Sequence, residues 1–319
     1  MPDRLKSEVI LVEVLRSKDL LDTDALTEEE IRLIIETAFR IKNEGLKKLP
    51  LSNDIISLLF FEPSTRTRNS FEIAGKKLGA IVVSMDTSGS SLVKGESALN
   101  TVRTIQAMGV NYFVIRHRES GFPYPIAEKV SASIINAGDG MRGHPTQALL
   151  DAMTMIEARG DIKNRKVIIV GDILHSRVAR SNIWLLQKLG AKVTLAGPPE
   201  FLPEDFRQFD VRISHSLDDE LKDTDIIMGL RIQRERMEKM NISVDGYVKR
   251  YQINSERVSR AKPDLIILHP GPVNVGIEMT ADVLYSEKSL VERQVTNGVF
   301  IRMAILSLLK ETRDYGDNT

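Results

Sequence analysis

A chain of 319 residues, 42% hydrophobic and 28% charged, has the composition of a globular protein and is long enough to build two cores. Its 44 Lys and Arg balance 44 Asp and Glu, which excludes a general nucleic-acid binder, and the absence of cysteine excludes a disulfide framework, a thiolate nucleophile and a cysteine-ligated metal. The apolar run at 9–12 is too short and too interrupted for a signal peptide or a membrane span, so the expected location is cytoplasmic, with no membrane partner.

Thr27-Glu28-Glu29-Glu30 has the form of a capping box, and Ile31, Ile34, Ile35, Ala38 and Phe39 follow at helical spacing as far as Gly45. Short apolar runs then alternate with amphipathic stretches. Strands are predicted at 55–61 (IISLLFF), 80–85, 112–116 and 133–137, with helices at 67–78, 98–108 and 126–132 between them. A helix over 145–158 (PTQALLDAMTMIEA) leads to Gly160 and to a second series. There, strands are predicted at 167–170, 192–196, 225–228 and 265–268, and helices at 178–189 and 203–206, followed by an amphipathic segment over 291–310. Such alternation implies parallel sheets with right-handed crossovers. The expected fold is therefore α/β with two domains, each a mostly parallel sheet flanked by helices and joined by linking helices. No repeat or low-complexity linker marks the boundary, which falls near 145–165.

Ligands of such sheets bind beyond the carboxyl ends of the strands, and the unusual residues of this chain follow its predicted strands. Ser64-Thr65-Arg66-Thr67-Arg68 follows IISLLFF, where a strand turns into a helix. A polar loop with Ser90 and Lys94 follows the second strand, and YFVIR ends in Arg116 and His117. GDGMRGHPTQ, with His144 and Gln147, precedes the central helix. In the second half, Arg177 follows VIIVGD, Arg231 and Gln233 follow DIIMGL, and Pro270-Gly271-Pro272 follows LIILH. Each feature alone reads as a rim residue, a helix cap or a solvated face. Together they place cations at strand ends in both halves, with hydroxyls at one helix start. That pattern suits a doubly anionic phosphate in one half and a carboxylated ligand in the other, because helix N-termini and arginine forks both hold oxyanions. Neither G-x-G-x-x-G nor G-x-x-x-x-G-K-[ST] occurs, and the five histidines lack ligand spacing and an acidic partner, so neither a nucleotide cofactor nor a metal is expected.

The motifs FFEPSTRTRNSFE, SLVKGES, VIRH, GDGMRGHPTQALLD, LRIQRERM, HPGPVN and NGVFIRMA, in this order, resemble the catalytic chains of the aspartate carbamoyltransferase family. The ornithine branch carries Ser-Met-Gly and His-Cys-Leu-Pro motifs, and an ornithine acceptor wants an acid. This chain has neither motif and offers Arg177 and Arg231 to two carboxylates, so the ornithine reaction is the alternative.

The resemblance implies transfer of a carbamoyl group from carbamoyl phosphate to L-aspartate, giving N-carbamoyl-L-aspartate and phosphate, the step that commits to pyrimidine (UMP) synthesis. It implies a carbamoyl-phosphate-binding domain at 1–147, onto which 291–319 packs back, and an aspartate-binding domain at 148–290. By the same resemblance, Ser64, Thr65, Arg66 and Thr67 hold the phosphate, and Thr67, Arg116 and His144 face the carbamoyl oxygen. Gln147, Pro270 and Gly271 take the carbamoyl NH₂, while Arg177, Arg231, Gln233, Gly271 and Pro272 hold aspartate. Ser90 and Lys94 are lent by a neighbouring subunit of a homotrimer, Lys94 touching both substrates. The segment 273–278 departs from the HPLPRVDEI form of enteric relatives. That departure points to a bare trimer, or one assembled with dihydroorotase, ahead of an assembly with regulatory chains.

Overall fold

The computed structural model describes residues 14–86 and 97–316. Helix α1 (Glu28–Glu44) opens on the capping box expected at Thr27: the Thr27 side chain accepts from the Glu30 N–H, and the Glu30 carboxylate accepts from the Thr27 N–H at 2.9 Å. The first sheet is built by β1 (Ile55–Phe60), α2 (Thr65–Lys77), β2 (Ile81–Asp86), α3 (Ala98–Ala107), β3 (Tyr112–His117), α4 (Tyr124–Ala127) and β4 (Ser133–Asp139). Its strands run parallel in the order β2-β1-β3-β4, and Leu20 bridges to Ile135 beyond β4.

Helix α5 (Pro145–Arg159) crosses to the second sheet. That sheet follows as β5 (Lys166–Val170), α6 (Arg177–Lys188), β6 (Lys192–Ala196), a 3-10 turn at Glu204–Phe209, β7 (Arg212–Ser214), α7 (Leu217–Glu220) and β8 (Ile226–Gly229). The chain continues through α8 (Arg234–Lys239), α9 (Val244–Tyr251), α10 (Ser255–Ser259), β9 (Ile266–Leu268), α11 (Ala281–Leu284) and the long α12 (Val291–Gly316). These five strands are also parallel, in the order β7-β6-β5-β8-β9.

The central strands of both sheets are buried on both faces, as near-continuous apolar strands require. In the first sheet Ile56, Leu58 and Val114 face α1, α2 and α12, while Leu59, Phe113 and Ile115 face α3 and α4. In the second, Val167, Ile169 and Met228 join the same large cluster as the first sheet's inner face, and Ile168, Ile227 and Ile267 face another. Helices α5, α6 and α12 carry that shared cluster from one sheet to the other, and α12 packs on α1, α2 and α5.

Three local expectations change. The helix expected over 203–206 is the 3-10 turn Glu204–Phe209, with Pro203 as its N-cap. Helix α2 begins at Thr65, not Thr67, which puts Thr65 and Arg66 inside its first turn. The helix expected over 126–132 shrinks to the single turn of α4. The apolar spacing of Ile126, Ala127 and Val130 suggested more, but Lys18 Nζ binds the carbonyls of Ala127 and Ala132, and Gln106 Oε1 accepts from the Ala132 N–H. Those partners hold 128–132 out of a helix. The short β7 and α7 to α11 were below what hydrophobic period resolves. Among the described residues no helix is long and apolar enough to cross a membrane.

Candidate active site

A cavity of about 940 Å³ lies between the carboxyl ends of the two sheets. Ser64, Thr65, Arg66, Thr67, Arg116, His144, Gln147, Arg177, Arg231, Gln233, Pro270, Gly271 and Pro272 all line it. Ser90 and Lys94 lie outside the described residues.

The first bank is a helix start. Ser64 is the N-cap of α2 but makes no side-chain cap bond, and the first turn carries no acid. Helix α1 is the contrast, with its capping box and three glutamates in the first turn. An uncapped first turn leaves N–H groups and the positive end of the helix dipole to a ligand. Arg66 stands on that turn, its pKa lowered by partial burial and then by the charge of Arg231 from the other sheet. Gly271 makes the approach feasible: its φ is +61°, and a Cβ there would overlap Arg66 Nη1.

Behind this turn, Arg116 at the end of β3 donates from Nη1 to the Ala137 carbonyl at 3.2 Å and holds Nε 2.7 Å from Glu62 Oε1. The same Glu62 oxygen accepts from Arg177 Nη2 at 2.5 Å, so one carboxylate from the end of β1 ties together arginines of the two halves. Burial, with Arg177 adding to it and Glu62 opposing, brings the Arg116 pKa down to about 10; it stays cationic at neutral pH. His144 stands at the N-cap position of α5 without a side-chain capping bond and is 4% exposed. Burial, then Arg116, Arg177 and Arg302, hold its pKa well below the usual histidine range, so the imidazole is neutral. Its Nδ1 is buried without a partner among the described residues, the kind of orphan that a bound ligand satisfies.

The second bank is loop. Residues 230–233 have no regular structure, yet they are anchored. Glu278, 2% exposed, accepts from the Ile232 N–H and Asn274 Nδ2 through Oε1 and from the Asn274 N–H through Oε2, each at 2.6 Å. His269 Nδ1 accepts from the Gly271 N–H at 2.8 Å, which leaves the ring proton on Nε2, 3.4 Å from Glu278. One buried carboxylate thus fastens the Arg231–Gln233 loop to the segment that follows β9.

Several lining residues escaped sequence reasoning: Glu62, Asp172, His175, Arg236 and Arg302. The expectation that no histidine has an acidic partner is corrected by His175, whose Nδ1 lies 2.8 Å from Asp172 Oδ1, three residues back. Asp172 Oδ2 also meets Arg236 at 3.1 Å. The signal for both acids was available: each stands just beyond a strand, amid cations that need counter-charge. Among the described residues, no group of three or more histidines and carboxylates could hold a metal ion.

Among the described residues the two carboxylates lining the cavity, Glu62 and Asp172, are thus both engaged by arginines. The side chains of Arg66 and Arg231, by contrast, make no hydrogen bond or ion pair with the described residues. A two-sheet α/β cleft with uncommitted arginines on both banks is a site for small, multiply anionic ligands.

Comparison with known proteins narrows the class. Residues 18–157 match the carbamoyl-P binding domain, and residues 163–309 the Asp/Orn binding domain, of aspartate/ornithine carbamoyltransferases. The aspartate carbamoyltransferase catalytic subunit of Natranaerobius thermophilus is 50% identical over 309 residues, covering 95% of this chain and 99% of its own. Among solved structures, aspartate transcarbamoylase from Trypanosoma cruzi in complex with carbamoyl aspartate and phosphate has a TM-score of 0.82 at 29% identity, over 91% of this chain and 94% of that one. Ornithine carbamoyltransferase from Pyrococcus furiosus has a TM-score of 0.83 at 30% identity, over 93% and 98%. The chain belongs to the aspartate/ornithine carbamoyltransferase family.

Proposed function

We propose that this chain is an aspartate carbamoyltransferase that forms N-carbamoyl-L-aspartate and phosphate, committing carbamoyl phosphate to pyrimidine synthesis. The observation that carries the reading is the pair Arg66 and Arg231, which line one cavity from opposite banks with no counter-ion among the described residues. An ornithine side chain would need a free carboxylate, and among the described residues both lining carboxylates are taken by arginines. Fold alone does not separate the two reactions, since solved structures of both branches superpose equally well.

In this reading residues 1–147, with α12 packed back on them, form the carbamoyl-phosphate domain, and 148–290 the aspartate domain. The first turn of α2 with Ser64, Thr65, Arg66 and Thr67 receives the phosphate. Thr67, Arg116 and neutral His144 donate to the carbamoyl oxygen as negative charge grows on it, which is oxyanion stabilisation. Gln147 and the carbonyls of Pro270 and Gly271 accept from the carbamoyl NH₂. Arg177, Arg231 and Gln233 hold the aspartate carboxylates beside Gly271 and Pro272. The substrate's deprotonated amine attacks, the C–N bond forms, the C–O bond to phosphate breaks, and phosphate takes the amine proton. No protein nucleophile and no cofactor are required; orientation and electrostatics supply the rate.

The reading includes a homotrimer in which Ser90 and Lys94 complete a neighbour's site. Exposed Ile73, Ile81 and Val83, on α2 and the edge strand β2 that leads toward these residues, supply an apolar face for such a contact. A bare trimer, or one with dihydroorotase, is the assembly that the 273–278 segment favours, in the cytoplasm.

The test is incubation with carbamoyl phosphate and either L-aspartate or L-ornithine, following carbamoylated product and phosphate. Aspartate alone should give product; ornithine alone giving product would overturn the assignment of Arg177 and Arg231. For the shared site, Arg66→Ala and Lys94→Ala proteins should each be nearly inactive and regain activity when reassembled together. Verified mixed trimers without recovery would sink that part.

A further inference from the structure

We infer that Asp151 is a positioning residue that fixes the amide polarity of Gln147, and thereby makes the site choose a carbamoyl NH₂ over a methyl group in the same place. The inference rests on the carbamoyltransferase reading and deepens it.

Asp151 lies on α5, one helical turn beyond Gln147, and is 0% exposed. Gln147 Nε2 donates to its Oδ1 at 2.8 Å, Gln294 Nε2 donates to the same oxygen at 2.7 Å, and Asn182 Nδ2 donates to Oδ2 at 2.9 Å. An ionised carboxylate has acceptors only, so every amide that meets it must present its NH₂. With Nε2 committed inward, Gln147 turns Oε1 toward the cavity it lines, and that oxygen accepts no hydrogen bond from the described residues. A glutamine without such a partner could present either end, the two being nearly equal in shape.

The same logic sets the opposite wall. Gln294 gives its NH₂ to Asp151, so its Oε1 accepts from the His269 N–H at 2.9 Å and holds the start of the segment carrying Pro270 and Gly271. Asn182 on α6 is the third strut, on the helix whose first residue is Arg177. One carboxylate therefore orients acceptors on both sides of the carbamoyl nitrogen. Burial raises the Asp151 pKa to about 6, with the three amides and Arg302 opposing, so it is ionised at neutral pH.

A methyl group offers no donor, and facing it with acceptors leaves them buried and unpaired; a site built to bond a donor rejects its isostere by far more than one that merely fits it. The experiment compares kcat/KM with carbamoyl phosphate and with acetyl phosphate, aspartate being the acceptor, in the wild type, Asp151→Asn and Gln147→Leu. Inorganic phosphate inhibition is measured alongside. Asp151→Asn is expected to lower the carbamoyl-over-acetyl preference at least about tenfold, while the phosphate inhibition constant stays within about threefold. Gln147→Leu is expected to match it, and the double variant to add little, because both changes remove one interaction. Should Asp151→Asn fail to fold, Asp151→Ser makes the same test with a smaller side chain. A folded variant in which both substrates lose rate equally, preference unchanged, would make Asp151 merely structural and overturn the inference. A wild type that makes no carbamoylaspartate would instead overturn the reading beneath it.

Discussion

On one bank of the cleft, Ser64, Thr65, Arg66 and Thr67 sit at the start of a 13-residue helix that springs from a buried strand. On the other, Arg231 and Gln233 sit on irregular chain whose position depends on a carboxylate more than forty residues away. The helix start carries its own anion-binding equipment: backbone N–H groups, a dipole and hydroxyls at fixed geometry. The loop has a cation and an amide, and borrows rigidity from Glu278, Asn274 and His269. A phosphate site can be local. The second anion site here is assembled from distant pieces, and it is the more vulnerable of the two to changes that never touch a ligand.

The largest effect should come from the local bank. Arg66→Ala removes the cation from a helix start that must stabilise both phosphate and departing charge, and kcat/KM should fall by about 10³-fold, with inorganic phosphate inhibition lost in parallel. Arg231→Ala should cost about 10²-fold, nearly all of it in the KM for aspartate, with phosphate inhibition unchanged. If phosphate inhibition weakened equally in both variants, the two banks would not be separable. Glu278→Gln sharpens the contrast further, because it alters no lining cation. An amide there must turn an NH₂ toward a donor, which should destabilise the fold by about 1–3 kcal/mol and raise the aspartate KM, while phosphate inhibition holds. Chemical denaturation together with initial rates reads both.

The smallest effect concerns pH. His144 is held neutral when folded but protonates near 6.5 when unfolded. The unfolded chain therefore binds the extra proton, and this residue's contribution to stability is complete above that pH and declines as pH falls. The stability gap between wild type and His144→Asn should close by at most about 1.4 kcal/mol per pH unit below 6.5. A gap that ignores pH between 5 and 7 would mean that the imidazole is not desolvated as its burial implies.

The same asymmetry governed what could be read from the chain. The strand–turn–helix at FFEPSTRTRNSFE is contiguous, so apolar run, hydroxyls and arginines identify it as a helix start with spare donors. The alternation of strands and helices gave two parallel sheets for the same reason: hydrophobic period is a local signal. Glu62 stands inside that motif without a local signal of its own, since its importance lies in meeting Arg116 and Arg177, which the fold brings from elsewhere. Asp172 ends the run VIIVGD, and nothing in that run announces that the fold pairs it with His175 and Arg236. Glu278 and Asp151 are acids within segments whose motif residues carry the stronger local signal. Counter-charges and struts act at long range in sequence, and no period or spacing announces them.

Helix α12 has one consequence that reaches beyond the site. It packs on α1, α2 and α5, and Ile301, Ile305 and Leu309 belong to the same apolar cluster as Ile56 and Val114 of the first sheet. Yet it follows the whole second sheet in the chain. During synthesis the first sheet must therefore emerge, wait with one face uncovered while 163–290 are added, and close only when the last helix leaves the ribosome. The half of the molecule that is made first is finished last, and a truncated or stalled chain would expose that unfinished face to chaperones or to its own kind.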